Sequence, residues 1–222
     1  YTESFGINHE VDSLVMRSVR VIEEMGATVI KIDRISPPET AQNSFQVMLY
    51  EYKEGLNKYF SSLGEDAPVK NLEELIKLNE KDSFELKYFN QAYLKMAQEK
   101  SGLDSEEYLN ALSGLKKMSQ KLGIDRIMNE YNLDAIIAAT GSPAWTTDLI
   151  NGDNYNISSS SPAAWAGYPN ISVPMGNIHG LPVGLSFFGR AWSEPTLIEI
   201  CYGFEQATKS RTIPTYRAND ES

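Results

Sequence analysis

Cysteine is almost missing from this chain. Cys201 is the only one in 222 residues, so no intrachain disulfide can form and a disulfide-stapled secreted scaffold is excluded. It lies in an apolar pattern with Leu197, Ile198 and Phe204, where a thiol is expected to act as a small buried hydrophobe. Histidine is nearly as scarce. His9 and His179 have no Glu or Cys at ligand spacing around them, and a zinc site needs three or four convergent ligands, so no metal is expected. Basic residues are in deficit: 20 Lys and Arg against 30 Asp and Glu give a net charge of −10. That balance argues against nucleic acid and anionic membrane surfaces as partners, because both select positive patches. No uncharged apolar window of about 18 residues occurs. The N-terminus, Tyr1-Thr-Glu-Ser-Phe-Gly6, has neither a basic stretch nor an apolar one behind it, so it does not read as a signal peptide. A first residue of Tyr instead of Met leads us to expect a trimmed or partial chain.

What is present suits a globular core, with 41% hydrophobic and 10% aromatic residues. Three zones follow one another. In residues 10–36, Val11, Leu14, Val15, Ser18, Ile22 and Met25 share a helical face that Gly26 stops, and the β-branched run Ala27–Ile32 predicts a buried strand before Pro37-Pro38. Residues 39–131 predict helices almost throughout. Phe45, Met48, Leu49, Tyr52, Leu56, Tyr59 and Phe60 form an apolar stripe, which is read as packing and not as a cofactor box. A second helix opens at Asn71 with Glu74 in capping-box relation; a third is expected from Ser83 to Lys100. A fourth opens at Asp104 with Glu107 and runs towards Tyr131.

At Asn132 the composition changes. From there to Ile200 the only basic residue is Arg190, while seven of the 15 Gly and six of the 10 Pro gather. Low charge with clustered Gly and Pro marks buried strands joined by shaped loops. Asp134–Ala139, Asn170–Val173 and Val183–Phe188 are the expected strands of one sheet, with residues 177–180 as a short connection. Ser193 is expected to cap a last helix that runs to about Lys209 with Glu194 and Pro195 in its first turn; the tail after Pro214 is polar.

The candidate site residues come from two loops in this last zone. Trp145, Thr146 and Asp148 follow a strand end and a Gly-Ser-Pro turn, and ligands collect beyond the carboxyl ends of strands in α/β sheets. Trp145 would give an apolar wall; Asp148 would either meet a substrate amide or ammonium group or brace its own loop. Tyr155, Ser158, Ser159 and Ser160 lie in the second loop. A serine nucleophile needs a base within reach and oxyanion donors, usually on a glycine-relieved turn. No Gly stands within five residues of Ser158–Ser161, so these serines are read as lining or shaping a pocket and no catalytic residue is assigned. Gly102, Gly141, Gly176 and Gly184 form no phosphate-cradling fingerprint.

The long motifs DAIIAATGSPAWTTDLINGD over 134–153, SPAAWAGYPNISVPMG over 161–176 and GLPVGLSFFG over 180–189 closely resemble the C-terminal half of amidase-signature enzymes, in particular the branch of bacterial peptide amidases and their plant relatives. VIEEMGATVIKID over 21–33 is similar to the family's helix-plus-strand segment, so the resemblance covers nearly the whole chain. It implies an α/β fold, a mixed β-sheet flanked by helices, with 1–222 forming the C-terminal part of a single amidase-signature domain. It also implies hydrolysis of a carboxamide to a carboxylate plus ammonia or an amine through a Ser–Ser–Lys triad, without any cofactor. That triad belongs to a Gly-Gly-Ser-Ser-Gly-Gly stretch and an upstream Lys. No such stretch occurs in these 222 residues, and Lys31 stands in the wrong context to replace the lysine. The triad is therefore expected upstream of Tyr1, and the isolated chain is expected to be inactive.

The implied partners are a small-molecule or peptide amide substrate and the N-terminal half of the same enzyme, with self-association of the isolated chain through its uncovered rim and sheet edge. A rival reading makes the chain a non-catalytic structural or binding piece that needs its N-terminal half or a partner subunit. An independent hydrolase using Ser158–Ser161 is disfavoured, because no base is placed by the sequence.

Overall fold

The computed structural model describes residues 5–214 and divides into two compact units, residues 36–119 and the remainder. The first unit holds helices only: α2 (Thr40–Ser61), α3 (Leu72–Lys81), α4 (Ala92–Gln98) and α5 (Glu106–Ser119). Leu49, Leu72, Ile76 and Ala97 form its buried centre, with Phe45, Leu56 and Leu94 packed against them. The α2 stripe is only partly a core face. Leu49 is fully buried and Tyr50 nearly so, whereas Met48, Tyr52 and Tyr59 are exposed. A crossed pair of bonds clamps α2 to α5: the Tyr50 hydroxyl donates to Glu107 (2.6 Å) and the Tyr108 hydroxyl donates to Glu51 (2.8 Å).

Two helix starts differ from expectation. Asn71 does cap α3, its Oδ1 accepting the Glu74 N–H at 2.9 Å. The third helix, however, begins at Ala92 and not Ser83, because Asp82 accepts the Phe84 N–H and Asn90 the Ala92 N–H, both at 2.9 Å. Such local side-chain bonds compete with helix initiation. The fourth opens one residue later than predicted: Ser105 Oγ, not Asp104, accepts the Tyr108 N–H at 3.4 Å. It also fails to run through to Tyr131. A wide turn over Gln120–Ile124, with Gly123 outside helical dihedrals, separates α5 from α6 (Asp125–Glu130). Glycine is the residue least held to helical geometry.

The second unit begins with α1 (His9–Glu24), capped by Asn8, whose Oδ1 accepts the Glu10 and Val11 N–H groups. The unit continues through α6, β1 (Ile136–Ala139), α7 (Ser161–Ala166), β2 (Asn170–Ile178), β3 (Leu181–Phe188) and α8 (Glu194–Thr208). The three strands form one sheet in the order β1-β3-β2, and both pairings are antiparallel. The β2–β3 link is a two-residue turn, His179-Gly180, both at positive φ, the geometry that matches strand twist. Ser193 precedes α8 but does not cap it; its Oγ donates back to the Arg190 carbonyl at 2.7 Å.

Ala27–Ile32 is not a strand. It runs as irregular chain, mostly exposed up to Lys31, and then buries Ile32 and Ile35. Of its β-branched residues, Ile32 is the one that serves as an apolar anchor.

Both faces of the sheet are covered. On one, Ala139, Leu185 and Phe187 meet Val11, Leu14 and Val15 of α1 and Leu197, Cys201 and Phe204 of α8. On the other, Ile136, Ala138 and Phe188 meet Ile124, Ile127, Met128, Ala163 and Ala166, together with Ile32 and Ile35. Burial on both faces explains the lack of polar alternation in β1 and in β3, where Ser186 is the one polar side chain. Each fully buried Phe contributes about 1.5–3 kcal/mol of transfer free energy.

Candidate functional site

β1 ends at Ala139, and the chain then stays irregular to Ser160 except for a bridge between Gly141 and Ser158. That antiparallel bridge ties the two candidate loops together at the carboxyl end of β1. Beyond it the loops pack on each other through aromatic groups. The Trp145 and Tyr155 ring centroids lie 6.0 Å apart at 59°, and the Trp145 indole N–H donates to Asp153 Oδ1 at 3.2 Å. Both rings are solvent-facing, 38% and 64% exposed, so they offer contact area at an open rim. Asp153 is a member of this group that sequence reasoning missed, because an Asp eight positions from a Trp carries no local signal.

The remaining candidates separate. Asp148 turns into its own loop: Oδ1 accepts the Ile150 and Asn151 N–H groups, each at 2.9 Å, and Oδ2 accepts the Asn151 side-chain amide at 2.8 Å. These bonds favour the carboxylate and hold its pKa below the usual Asp value, with the Asn151 N–H the largest cause. Thr146 is exposed. Ser158 Oγ contacts Ser160 Oγ at 3.2 Å, and Ser160, exposed, leads into α7, which Pro162 starts and Gly167 closes at φ 68°. Ser159 points inward. It is 2% exposed, its Oγ has no hydrogen-bond partner among the described residues, and it lines a void of about 10 Å³ with Val11, Asp12, Val15 and Ile157. A space of that size is at the threshold for one water. The open rim therefore carries Trp145, Thr146, Tyr155, Ser158 and Ser160, while Asp148 shapes it and Ser159 sits behind it. Among the described residues no Lys, His or carboxylate is bonded to a serine of the run.

The opposite end of the sheet holds a second group. Tyr168 donates to Asp125 at 3.0 Å, and its hydroxyl is pushed up to about 12 by burial first and by Asp125 second. Arg190 donates to Asn129 at 2.9 Å. Neither pairing was visible in the sequence, since the partners lie more than 40 positions apart.

The Amidase family model matches residues 1–198. The chain belongs to that family. A probable amidase of Arabidopsis thaliana is 34% identical over 96% of this chain and 40% of its own length. A crystal structure of a peptide amidase in complex with the competitive inhibitor chymostatin superposes with a TM-score of 0.88, at 36% identity, over 97% of this chain and 44% of that one. The native peptide amidase of Stenotrophomonas maltophilia gives 0.82 at 36% identity, over 93% and 42%. This member of the amidase family thus spans well under half the length of the relatives it matches. The α/β architecture, helices around a small antiparallel sheet, is that of the matching part of the amidase fold.

Proposed function

We propose that this chain is the C-terminal portion of an amidase that hydrolyses a carboxamide, a peptide amide in particular, to a carboxylate plus ammonia or an amine. The observation that carries this reading is the superposition on a peptide amidase along nearly the whole chain. The joined 140–148 and 155–161 loops, with an aromatic pair over small polar side chains, suit an amide-bearing ligand. In this reading the reaction is acyl transfer. A serine outside this chain attacks the amide carbon, a second serine and a neutral lysine pass the proton to the leaving nitrogen, and backbone N–H groups hold the oxyanion. The residues of this chain do not enter those steps. Trp145 and Tyr155 form an apolar wall, Thr146, Ser158 and Ser160 offer hydroxyls, and Asp148 keeps its turn closed.

The test is ammonia release by the complete polypeptide from an N-acylated amino-acid amide, an aryl amide and glutamine. Turnover of the first above the other two supports the reading; no turnover of any of them overturns it.

A second reading makes the chain a non-catalytic piece that works only with a separately encoded half; the lack of any Gly-Gly-Ser-Ser-Gly-Gly stretch in the 222 residues is compatible with both readings. The intact mass of the protein isolated from its source decides between them: a mass near 24.8 kDa supports the separate piece, and one more than twice as large supports the continuous enzyme. On either reading the partner is the N-terminal half. β2, an edge strand of the sheet, makes self-association of the isolated chain the expected outcome in light scattering.

A further inference from the structure

Three hydroxyls meet where β1 gives way to the first candidate loop. Thr140 Oγ1 lies 2.7 Å from Ser172 Oγ and 2.9 Å from Ser186 Oγ. The pairing places them: Ser186 is opposite Ala138 on β1 and Ser172 on β2, and the Thr140 N–H donates to the Gly184 carbonyl at 2.8 Å. Gly184 leaves the space they occupy. A Cβ there would stand 2.6 Å from Ser172 Oγ and 2.9 Å from Thr140 Oγ1, below real contact distances. A sheet position that could hold a packing side chain is thus kept open for a hydroxyl group.

Burial sets the direction of these bonds. Three hydroxyls bring three protons to two contacts, so one proton must point elsewhere. Ser186 is 2% exposed, in the central strand, and a buried donor without an acceptor is costly. Either oxygen of each contact can donate, and the direction that leaves no buried donor unused has Ser186 donating to Thr140. Thr140, now an acceptor, passes its own proton to Ser172, and chained hydrogen bonds polarise one another in the same sense. The spare proton emerges at Ser172, which is exposed. Its partner Thr140 directly precedes Gly141, the residue that bridges Ser158, so this chain of hydroxyls starts at the base of the joined loops.

We infer that Ser172 is a specificity residue that donates a hydrogen bond to a carbonyl oxygen of the substrate other than the scissile one, with Thr140 and Ser186 as its positioning residues. This rests on the amidase reading and narrows it: the favoured substrate carries a second carbonyl beside the amide that is cut, as a peptide amide does and a simple aryl amide does not.

The experiment uses the complete polypeptide, with an N-acetylated dipeptide amide and an aryl amide as substrates. Ser172→Ala and Thr140→Val should each lower the ratio of kcat/KM for the peptide amide to that for the aryl amide by about tenfold, the loss for a single hydrogen bond to a neutral group. Thr140→Ser, which keeps the hydroxyl, should return the ratio to within about threefold of the parent, and Ser172→Ala combined with Thr140→Val should do no more than either alone, as residues acting in one chain are not additive. A ratio unchanged in Ser172→Ala, or single effects that multiply, overturns the inference while leaving the amidase reading intact. A parent polypeptide that cleaves no amide overturns the amidase reading and this inference with it.

Discussion

Gly141 and Ser158 pair through a lone antiparallel bridge, and with it two loops 17 positions apart in the chain become one surface. The Trp145 and Tyr155 rings meet at 59° beyond that bridge, so the rim is braced at both ends. On the amidase reading proposed above, Trp145→Ala in the complete polypeptide should lower kcat/KM for the best substrate by fivefold or more, about 1 kcal/mol of transition-state binding. Asp148→Ala should act in the same direction by freeing the turn. If both variants stay within about twofold of the parent, under roughly 0.4 kcal/mol, these loops do not shape the pocket.

The isolated 222-residue chain should release no ammonia from aryl or peptide amides. Among the described residues its serine run has no base bonded to it, and the Ser160 hydroxyl lies against the Ser158 hydroxyl at 3.2 Å. Activity above background that vanishes in Ser160→Ala would show that the run itself is nucleophilic.

The turn at Asp148 should be sensitive to acid only at low pH. Its carboxyl is held below the ordinary Asp value by the Asn151 and Ile150 bonds. A group depressed in the folded state contributes stability that is complete above its unfolded pKa and is lost as pH falls through the lower, folded one. Chemical shifts of the Ile150 and Asn151 amides should therefore stay constant from neutral pH into the normal carboxylate range and move only below it. A transition at or above the ordinary Asp value would contradict the bonding described. Asp148→Asn should remove the transition while retaining the acceptor.

Cys201 should be inert in the folded protein. Burial, with a further contribution from Glu205, pushes its thiol up to about 11, and the thiolate is the reactive form. Labelling with iodoacetamide at pH 8 should be negligible under native conditions and complete in denaturant. Rapid native labelling would mean that α8 does not pack on the sheet as described.

Much of this was readable in the residues themselves. The existence of the three strands and of helices in residues 39–131 is announced by features a few positions long (period, caps, and Gly or Pro at a turn), whereas β2 runs on to Ile178 instead of ending at Val173 and leaves His179-Gly180 as the turn. The family, too, was legible, because its motifs are continuous in the chain. What local sequence could not decide was which of two local patterns wins once the chain is packed. Ala27–Ile32 had strand chemistry, but it runs as irregular chain in which only Ile32 is buried, joined by Ile35. Ser83–Asn90 had helical spacing, but Asp82 and Asn90 offered the backbone other bonds. The site divides the same way. Trp145, Asp148 and the serine run stood out by type and by position after a strand, yet their orientation came from partners far along the chain or from loop closure. Asp148 turned inward to its own backbone, Ser159 went under α1, and the Thr140–Ser172–Ser186 chain exists only because antiparallel register lays three strands side by side. Sequence determines what each residue can bond to; the sheet register and the loop bridge decide which of those bonds are made, because only tertiary packing brings distant donors and acceptors within 3 Å.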